Sequence, residues 1–312
     1  MAPHVLVTGG SGYLGSVLCE HLLDAGYHVT ALDNLMFGQT SLLHLCTRKT
    51  FEFVLGDVRN ESLMGELMRK TDICIPLAAI VGAPSCNRDP ILAQSVNYDE
   101  ATLLGRLKRP DQLVLYPTTN SGYGTRTSDM YCTEDTPLEP ISLYERTKVD
   151  AERYLMGFPN VIVFRLATLF GVSPRMRLDL LVNHFVYAAF ADGYIVIFEK
   201  DFKRNFVHVR DVADAMLFAV EHVRQMAGQC YNVGLDSANL SKGELAEKIK
   251  EHVPHFFIHF SDIGSDPDKR NYIVSNQRLR EAGFEAQRTL DAGIVELLKA
   301  YRMMGPGVFR NA

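Results

Sequence analysis

The chain has little positive charge to spare. Its 32 Lys and Arg are outnumbered by 37 Asp and Glu, giving a net charge of −5, and no polybasic stretch offsets the pI of about 6.1. Nucleic acid and membrane surfaces are poor partners for such a surface, which leaves small molecules. No apolar run is long enough to span a bilayer. The opening "MAPHVLVTGG" enters a strand-like stretch without the zones of a signal peptide, so a cytoplasmic protein is expected. Six cysteines are present, none in a CxxC spacing and most in apolar surroundings. Neither a disulfide nor a zinc site is expected. His252, His255 and His259 lie close in sequence, but Pro254 interrupts the helix and "FFIHF" reads as strand. The three rings would not share one face, and no metal is expected.

What the chain does have is length and rhythm. With 312 residues, 47% of them hydrophobic, it can bury a large core. Apolar strands read at 4–8, 28–32, 51–55, 72–78, 112–118 and 161–167, separated by helix-length segments. Right-handed crossovers between them give a Rossmann-type, doubly wound parallel sheet. After about residue 170 the rhythm changes. Helical stretches near 178–190, 211–224, 241–251 and 290–303 are separated by short strands at 194–198, 205–209 and 229–233. The expected organisation is a dinucleotide-binding domain over 1–170 and a smaller mixed α/β substrate domain over 171–312, with some chain crossing back to the first sheet. The final "GPGVFRNA" reads as a loose tail.

"VLVTGGSGYLGS" sets Gly9, Gly12 and Gly15 between the first strand and first helix. The first glycine permits a tight turn, the second a close approach of a pyrophosphate, and the third close packing of helix on strand. The helix N-terminus then offers unpaired amides to the phosphates. Asp33 ends the second strand, where a carboxylate accepts hydrogen bonds from ribose hydroxyls and repels a 2′-phosphate. NAD is therefore favoured over NADP.

In "SLYERTK", Tyr144 and Lys148 lie four residues apart on a helical stretch and share a face, so the ammonium can favour a phenolate. Together with the glycine loop, this pair makes the chain similar to the extended short-chain dehydrogenase/reductase family of nucleotide-sugar epimerases, dehydratases and dehydrogenases. The likeness runs through "TGGSGYLG", "LDN", "GDV", "TTNSGYG", "YERTK", "FRLATLFG", "RNFVHVRDVADA" and "DPDKRNY".

The resemblance implies a catalytic Thr119, Tyr144 and Lys148. Tyr144 would take a proton from a sugar hydroxyl while hydride leaves the same carbon for NAD, Thr119 would orient that hydroxyl, and Lys148 would hold the nicotinamide ribose. It also implies cofactor contacts at Gly9, Gly12, Tyr13, Leu14, Gly15, Asp33, Asn34, Asp57, Val58, Leu77, Ala78 and Ala79. On the substrate side it implies Asn120, Ser121, Arg175, Asn183, Arg204 and Arg270, with Arg177 also near the sugar pocket. Family dehydratases carry Asp-Glu directly after the Thr. Asn120 and Ser121 cannot do carboxylate work there, so elimination of water is not expected.

Within the family, "LDNLMF", "AAIVGAP", "SPRMRLDLLVN" and "DPDKRNYIVSN" are also similar to bacterial GDP-heptose 4-dehydrogenation in capsule-sugar synthesis. The expected chemistry is oxidation at C4 of a nucleotide-linked sugar, ending as net oxidation or as epimerisation, in a homodimer built on helices near 91–107 and 143–157. Two other readings share the fold: a 4-keto-sugar reductase, disfavoured by Asp33, and a dinucleotide-sensing protein, which would not need Tyr144 and Lys148.

Overall fold

Apolar runs bounded by turns become buried parallel strands here, because helices cover both faces of the sheet they form. The computed structural model describes residues 2–126, 131–261, 263 and 270–304. Its first half alternates β1 (His4–Thr8), α1 (Tyr13–Asp24), β2 (His28–Asp33), β3 (Phe51–Leu55), α2 (Glu61–Lys70) and β4 (Ile73–Pro76). The short helices α3 (Ala83–Arg88) and α4 (Pro90–Gln94) lead through a π-helical turn, Ser95–Asp99, into α5 (Glu100–Leu107). β5 (Leu113–Thr119), α6 (Leu143–Leu155) and β6 (Val161–Leu166) complete the pattern.

The second half contains β7 (Thr168–Phe170), α7 (Leu181–Tyr187), β8 (Tyr194–Phe198), β9 (Lys203–His208), α8 (Val209–Glu221), α9 (Val223–Met226) and β10 (Cys230–Val233). After these come β11 (Asn239–Ser241), α10 (Lys242–His252), β12 (Phe257–Ser261), α11 (Gln277–Glu281) and α12 (Leu290–Tyr301). The helix expected near 178–190 starts only at Leu181. Asp179 pairs with Arg177 at 2.6 Å, which holds the preceding residues in a loop.

Seven strands form the large sheet in the order β3-β2-β1-β4-β5-β6-β10, every neighbour parallel. Val5 of β1 sits between Val29 and Ile73, fixing the central register. The chain crosses back after residue 200. β10 adds to the sheet beside β6, and α8 buries Val212, Met216 and Ala219 in the same core as Val17, Leu18 and Leu22 of α1. A second core on the opposite face joins α2, α5 and α6, with Met64, Leu104, Ala151 and Leu155.

The remaining elements pack around their own apolar cluster, including Phe170, Val182, Phe206, Leu245, Ile249 and Leu297. They carry a three-stranded sheet, β11-β9-β7, and a parallel pair, β12-β8. His252 ends α10 and bonds Asp291, whereas His259 lies in β12, so the histidines do part company. Residues 305–312, read as a tail, and the "DPDK" before Arg270 lie outside the described residues.

Strand order reverses between β1 and β4, which opens a crevice at the carboxyl ends of the strands. The glycine loop after β1, Leu77–Ala79 after β4 and Thr119 at the end of β5 all border that crevice.

Candidate active site

The glycine loop is held by backbone. Gly9 has φ +65°, and a Cβ there would lie 2.7 Å from the Ala78 amide nitrogen. Its own N–H donates to Leu32 O at 2.8 Å. A Cβ on Gly15 would lie 2.4 Å from Gly9 O, so α1 can approach the loop only with glycine there. Gly12 caps α1 without a side-chain hydrogen bond, and no acidic residue occupies the first turn. The first amides of the helix are thus available to an anion.

Asp33, at the end of β2, accepts from Ser11 N at 3.0 Å and Leu35 N at 2.8 Å. Burial pushes its carboxyl upward, and the Leu35 and Ser11 amides with the Arg175 charge pull it back. Asn34 donates to Asp57 at 3.4 Å; Arg59 holds Asp57 down to about 2. Val58 is buried beside them, and Ala78 N donates to Thr8 Oγ1 at 3.2 Å. A cradle that a single Cβ would fill, free helix amides and a carboxylate at the next strand end together fit NAD. Tyr13 opens α1 directly after Gly12. The ring is buried and its hydroxyl donates to Gly171 O at 2.6 Å, so it ties α1 to the loop after β7.

α6 begins with a capping box: Ser142 Oγ accepts from Glu145 N, and Glu145 Oε2 accepts from Ser142 N at 2.9 Å. Such a cap stabilises a helix by about 1 kcal/mol. It sets Tyr144, Lys148 and Glu152 in one stripe against the sheet. Tyr144 is half-buried, and burial pushes its phenol up to about 12; Arg177 and Arg270 oppose this.

The Lys148 ammonium lies 4.1 Å from the centre of the Tyr116 ring, because β5 presents that aromatic face directly under α6. Burial draws Lys148 down to about 8.

Next to the tyrosine's helix, Thr119 Oγ1 and Ser121 Oγ are 2.6 Å apart, and Arg270 Nη1 donates to the same serine. Arg270 also lies 3.7 Å from Glu145, so the α6 cap anchors it. Asn120 between them is fully buried, and neither amide atom has a hydrogen-bond partner among the described residues.

The remaining substrate-side candidates separate. Asn183 is fully buried, accepting from Gly171 N at 3.1 Å and donating to Arg177 O at 2.9 Å. Its amide shapes the 171–177 loop and also donates to the Tyr13 hydroxyl at 3.3 Å. Arg204 is buried on β9, 5.8 Å from the Tyr272 ring. Arg175 sits 5.4 Å over the Phe37 ring, near Asp33. Arg177, two residues on, is the member of the pair whose charge reaches Tyr144. Sequence reading also missed Glu145 as the anchor of Arg270, although Ser142-x-x-Glu145 is a capping-box signature.

A parallel sheet with this crevice and this glycine loop defines a dinucleotide-binding α/β enzyme. Residues 5–234 match the NAD dependent epimerase/dehydratase family, and the chain belongs to it. It is an NAD-dependent enzyme of the extended short-chain dehydrogenase/reductase type. The chain is 30% identical over 318 aligned positions to UDP-glucose 4-epimerase of Mycolicibacterium smegmatis, covering 95% of this chain and 98% of that one. It is 26% identical to the low-salt glycan biosynthesis protein Agl12 of Haloferax volcanii, over 95% and 98% of the two chains. Among solved structures, UDP-glucuronic acid 4-epimerase of Bacillus cereus, in complex with UDP-glucuronic acid and NAD, superposes with a TM-score of 0.85 at 21% identity, over 96% and 99% of the chains. At that identity the likeness bears on the fold. No helix of the described residues is long and apolar enough to cross a membrane.

Proposed function

We propose that the chain oxidises C4 of a nucleotide-diphosphate sugar, as a 4-epimerase or a 4-dehydrogenase. The observation that carries this is the buried Asn120 amide, unpartnered on both atoms among the described residues, between Thr119 and the Ser121–Arg270 contact. A sugar hydroxyl both donates and accepts, which is what such an amide requires. NAD, when bound on the glycine loop, supplies the hydride acceptor.

The Tyr144 oxygen takes the proton of the C4 hydroxyl. Its phenol starts high, so the reaction depends on the positive charge around it, which here includes Arg177 and Arg270. Thr119 orients the hydroxyl, and Lys148 serves the nicotinamide ribose. Arg270, fixed by Glu145 and Ser121, suits a diphosphate, since a guanidinium binds phosphate oxygens in pairs. Arg204 is a substrate-side candidate behind it.

The particular sugar we favour is a GDP-linked heptose for capsule or other surface polysaccharide, on the stretches "SPRMRLDLLVN" and "DPDKRNYIVSN". The glycan-biosynthesis relative supports a surface-polysaccharide setting, and the epimerase relatives support epimerisation as the alternative to net oxidation. A cytoplasmic homodimer through residues 91–107 and 143–157 completes the reading.

Thermal melts with NAD and a panel of nucleotide sugars should identify the substrate as the one that raises the melting temperature. That sugar, carrying deuterium at C4, should then lose the label to NAD or return it to an inverted C4. Retention of deuterium at an unreacted C4, with chemistry at another carbon, overturns the proposal.

A further inference from the structure

The turn that follows β5 holds two hydroxyls in contact. Thr119 caps the short helical turn Asn120–Tyr123, its Oγ1 accepting from Ser121 N at 3.1 Å. Ser121 Oγ lies 2.6 Å from the same Thr119 oxygen and accepts from Arg270 Nη1. Both residues are buried, Thr119 at 9% exposure and Ser121 at 3%. The turn has little freedom to rearrange. At Gly122 a Cβ would lie 2.9 Å from Val149 Cγ2 on α6, and the Tyr123 hydroxyl donates to Asn232 at 2.7 Å while accepting from Arg165 at 3.0 Å.

The supply of donors and acceptors decides where each hydroxyl proton goes. A guanidinium can only donate, so Arg270 occupies one lone pair of Ser121 Oγ. Two arrangements of the contact between the hydroxyls then remain. If Thr119 donated to Ser121, the Ser121 proton would be left in the more buried side chain with no acceptor among the described residues, and an unmet buried donor is costly. If Ser121 donates instead, Thr119 Oγ1 accepts twice, from the Ser121 N–H and O–H, and both its lone pairs are filled. The one proton left over then belongs to Thr119, the less buried of the two, at the end of β5 where the strand borders the crevice.

We infer that Ser121 is a positioning residue for the reaction, fixed by Arg270, that makes Thr119 a hydrogen-bond donor and nothing else. A sugar C4 hydroxyl meeting Thr119 has to accept from it, so its own proton is turned away from Thr119 and toward the Tyr144 oxygen. On oxidation the hydroxyl proton passes directly to Tyr144 and the C4 hydride to NAD, leaving a C4 ketone. Thr119 relays no proton, because it has no lone pair to take one. A ketone oxygen can only accept, so a donating Thr119 keeps its bond to that oxygen on both sides of the step, whereas an accepting one would lose it. The arginine proposed for the diphosphate therefore also sets, through Ser121, the direction of the hydroxyl at the reacting carbon.

The inference rests on the role proposed for Thr119 toward the sugar, but its first test needs neither cofactor nor sugar. Neutron diffraction from crystals of the perdeuterated chain places hydroxyl deuterium directly. Between Thr119 and Ser121 the deuterium should be bonded to Ser121 Oγ, with that of Thr119 directed away from Ser121. Deuterium bonded to Thr119 Oγ1 on that line overturns the inference, whether or not any sugar in the panel is turned over. With the sugar identified by thermal melts, Ser121→Ala should lower kcat about tenfold, the weight of one hydrogen bond, and leave NAD affinity unchanged. Ser121→Thr, which restores the hydroxyl, should recover turnover to within about threefold of wild type. A merely structural serine would lower the melting temperature and leave kcat alone, so wild-type kcat in folded Ser121→Ala overturns the inference as well. Should Ser121→Ala fail to fold, the deuterium positions in the wild-type chain decide.

Discussion

Around Gly9, Gly12 and Gly15 the site is made of backbone, held by amide-to-carbonyl contacts and by the absence of Cβ atoms. Around Tyr144 it is made of side chains that arrive from β5, α6, the loop after β7 and the segment before residue 271. The first half has no room to yield, since its nearest neighbours are main-chain atoms. The second is a set of long, charged groups, each held by one or two partners such as Glu145 or Asp179. One half is set by steric exclusion, the other by balanced charge. Substitutions should therefore act on folding and cofactor together in the first, and on turnover or substrate in the second.

The largest effect tests the backbone half. Gly15→Ala places a methyl 2.4 Å from Gly9 O and 2.7 Å from Gly10 O. Neither carbonyl can move without dragging the loop off β1. We expect a loss of about 3 kcal/mol in chemical denaturation and no measurable NAD binding. Wild-type NAD affinity in this variant would mean that the loop is as adaptable as the sugar side, and the contrast would collapse.

Tyr144→Phe is the matching test on the charged half. It removes one oxygen from a half-buried ring and leaves the α6 capping box intact. Turnover of the identified sugar should fall by about 10²- to 10⁴-fold while NAD affinity stays within about twofold. Turnover near the wild-type rate would remove Tyr144 as the proton acceptor.

The same contrast decides what could be read before the structure. The parallel sheet, the glycine loop and Asp33 were legible, because each requirement is local: a turn, a helix start, a carboxylate at a strand end. The return of β10 and α8 to the large sheet shows only coarsely in the strand pattern, since a short apolar strand does not name its partner. The contact of Lys148 with Tyr116 was not legible. Residues 144 and 148 share a face, but the ring under the ammonium, Tyr116, lies in a strand far away in sequence. The surroundings of Asn183 were hidden for a related reason: its motif marks a position, while its hydrogen bonds to Gly171 and Arg177 depend on how the loop folds back.

The smallest expected effects make the finest division, because Arg175 and Arg177 stand two residues apart on one loop. Arg175 lies over Phe37 near Asp33, on the cofactor side, whereas Arg177 pairs with Asp179 and its charge reaches Tyr144. Arg175→Ala should weaken NAD binding by about threefold, the loss of one partly exposed cation–π contact, and leave the sugar KM unchanged. Arg177→Ala should do the opposite. Removing a positive charge that lowers the Tyr144 phenol lets it rise further, so the alkaline group governing kcat should move to higher pH while NAD affinity holds. Side-by-side NAD titrations and pH–rate profiles read both. Equal effects of the two variants on the cofactor would mean that the loop acts as one unit, and that the border between the backbone half and the charged half does not run between residues 175 and 177.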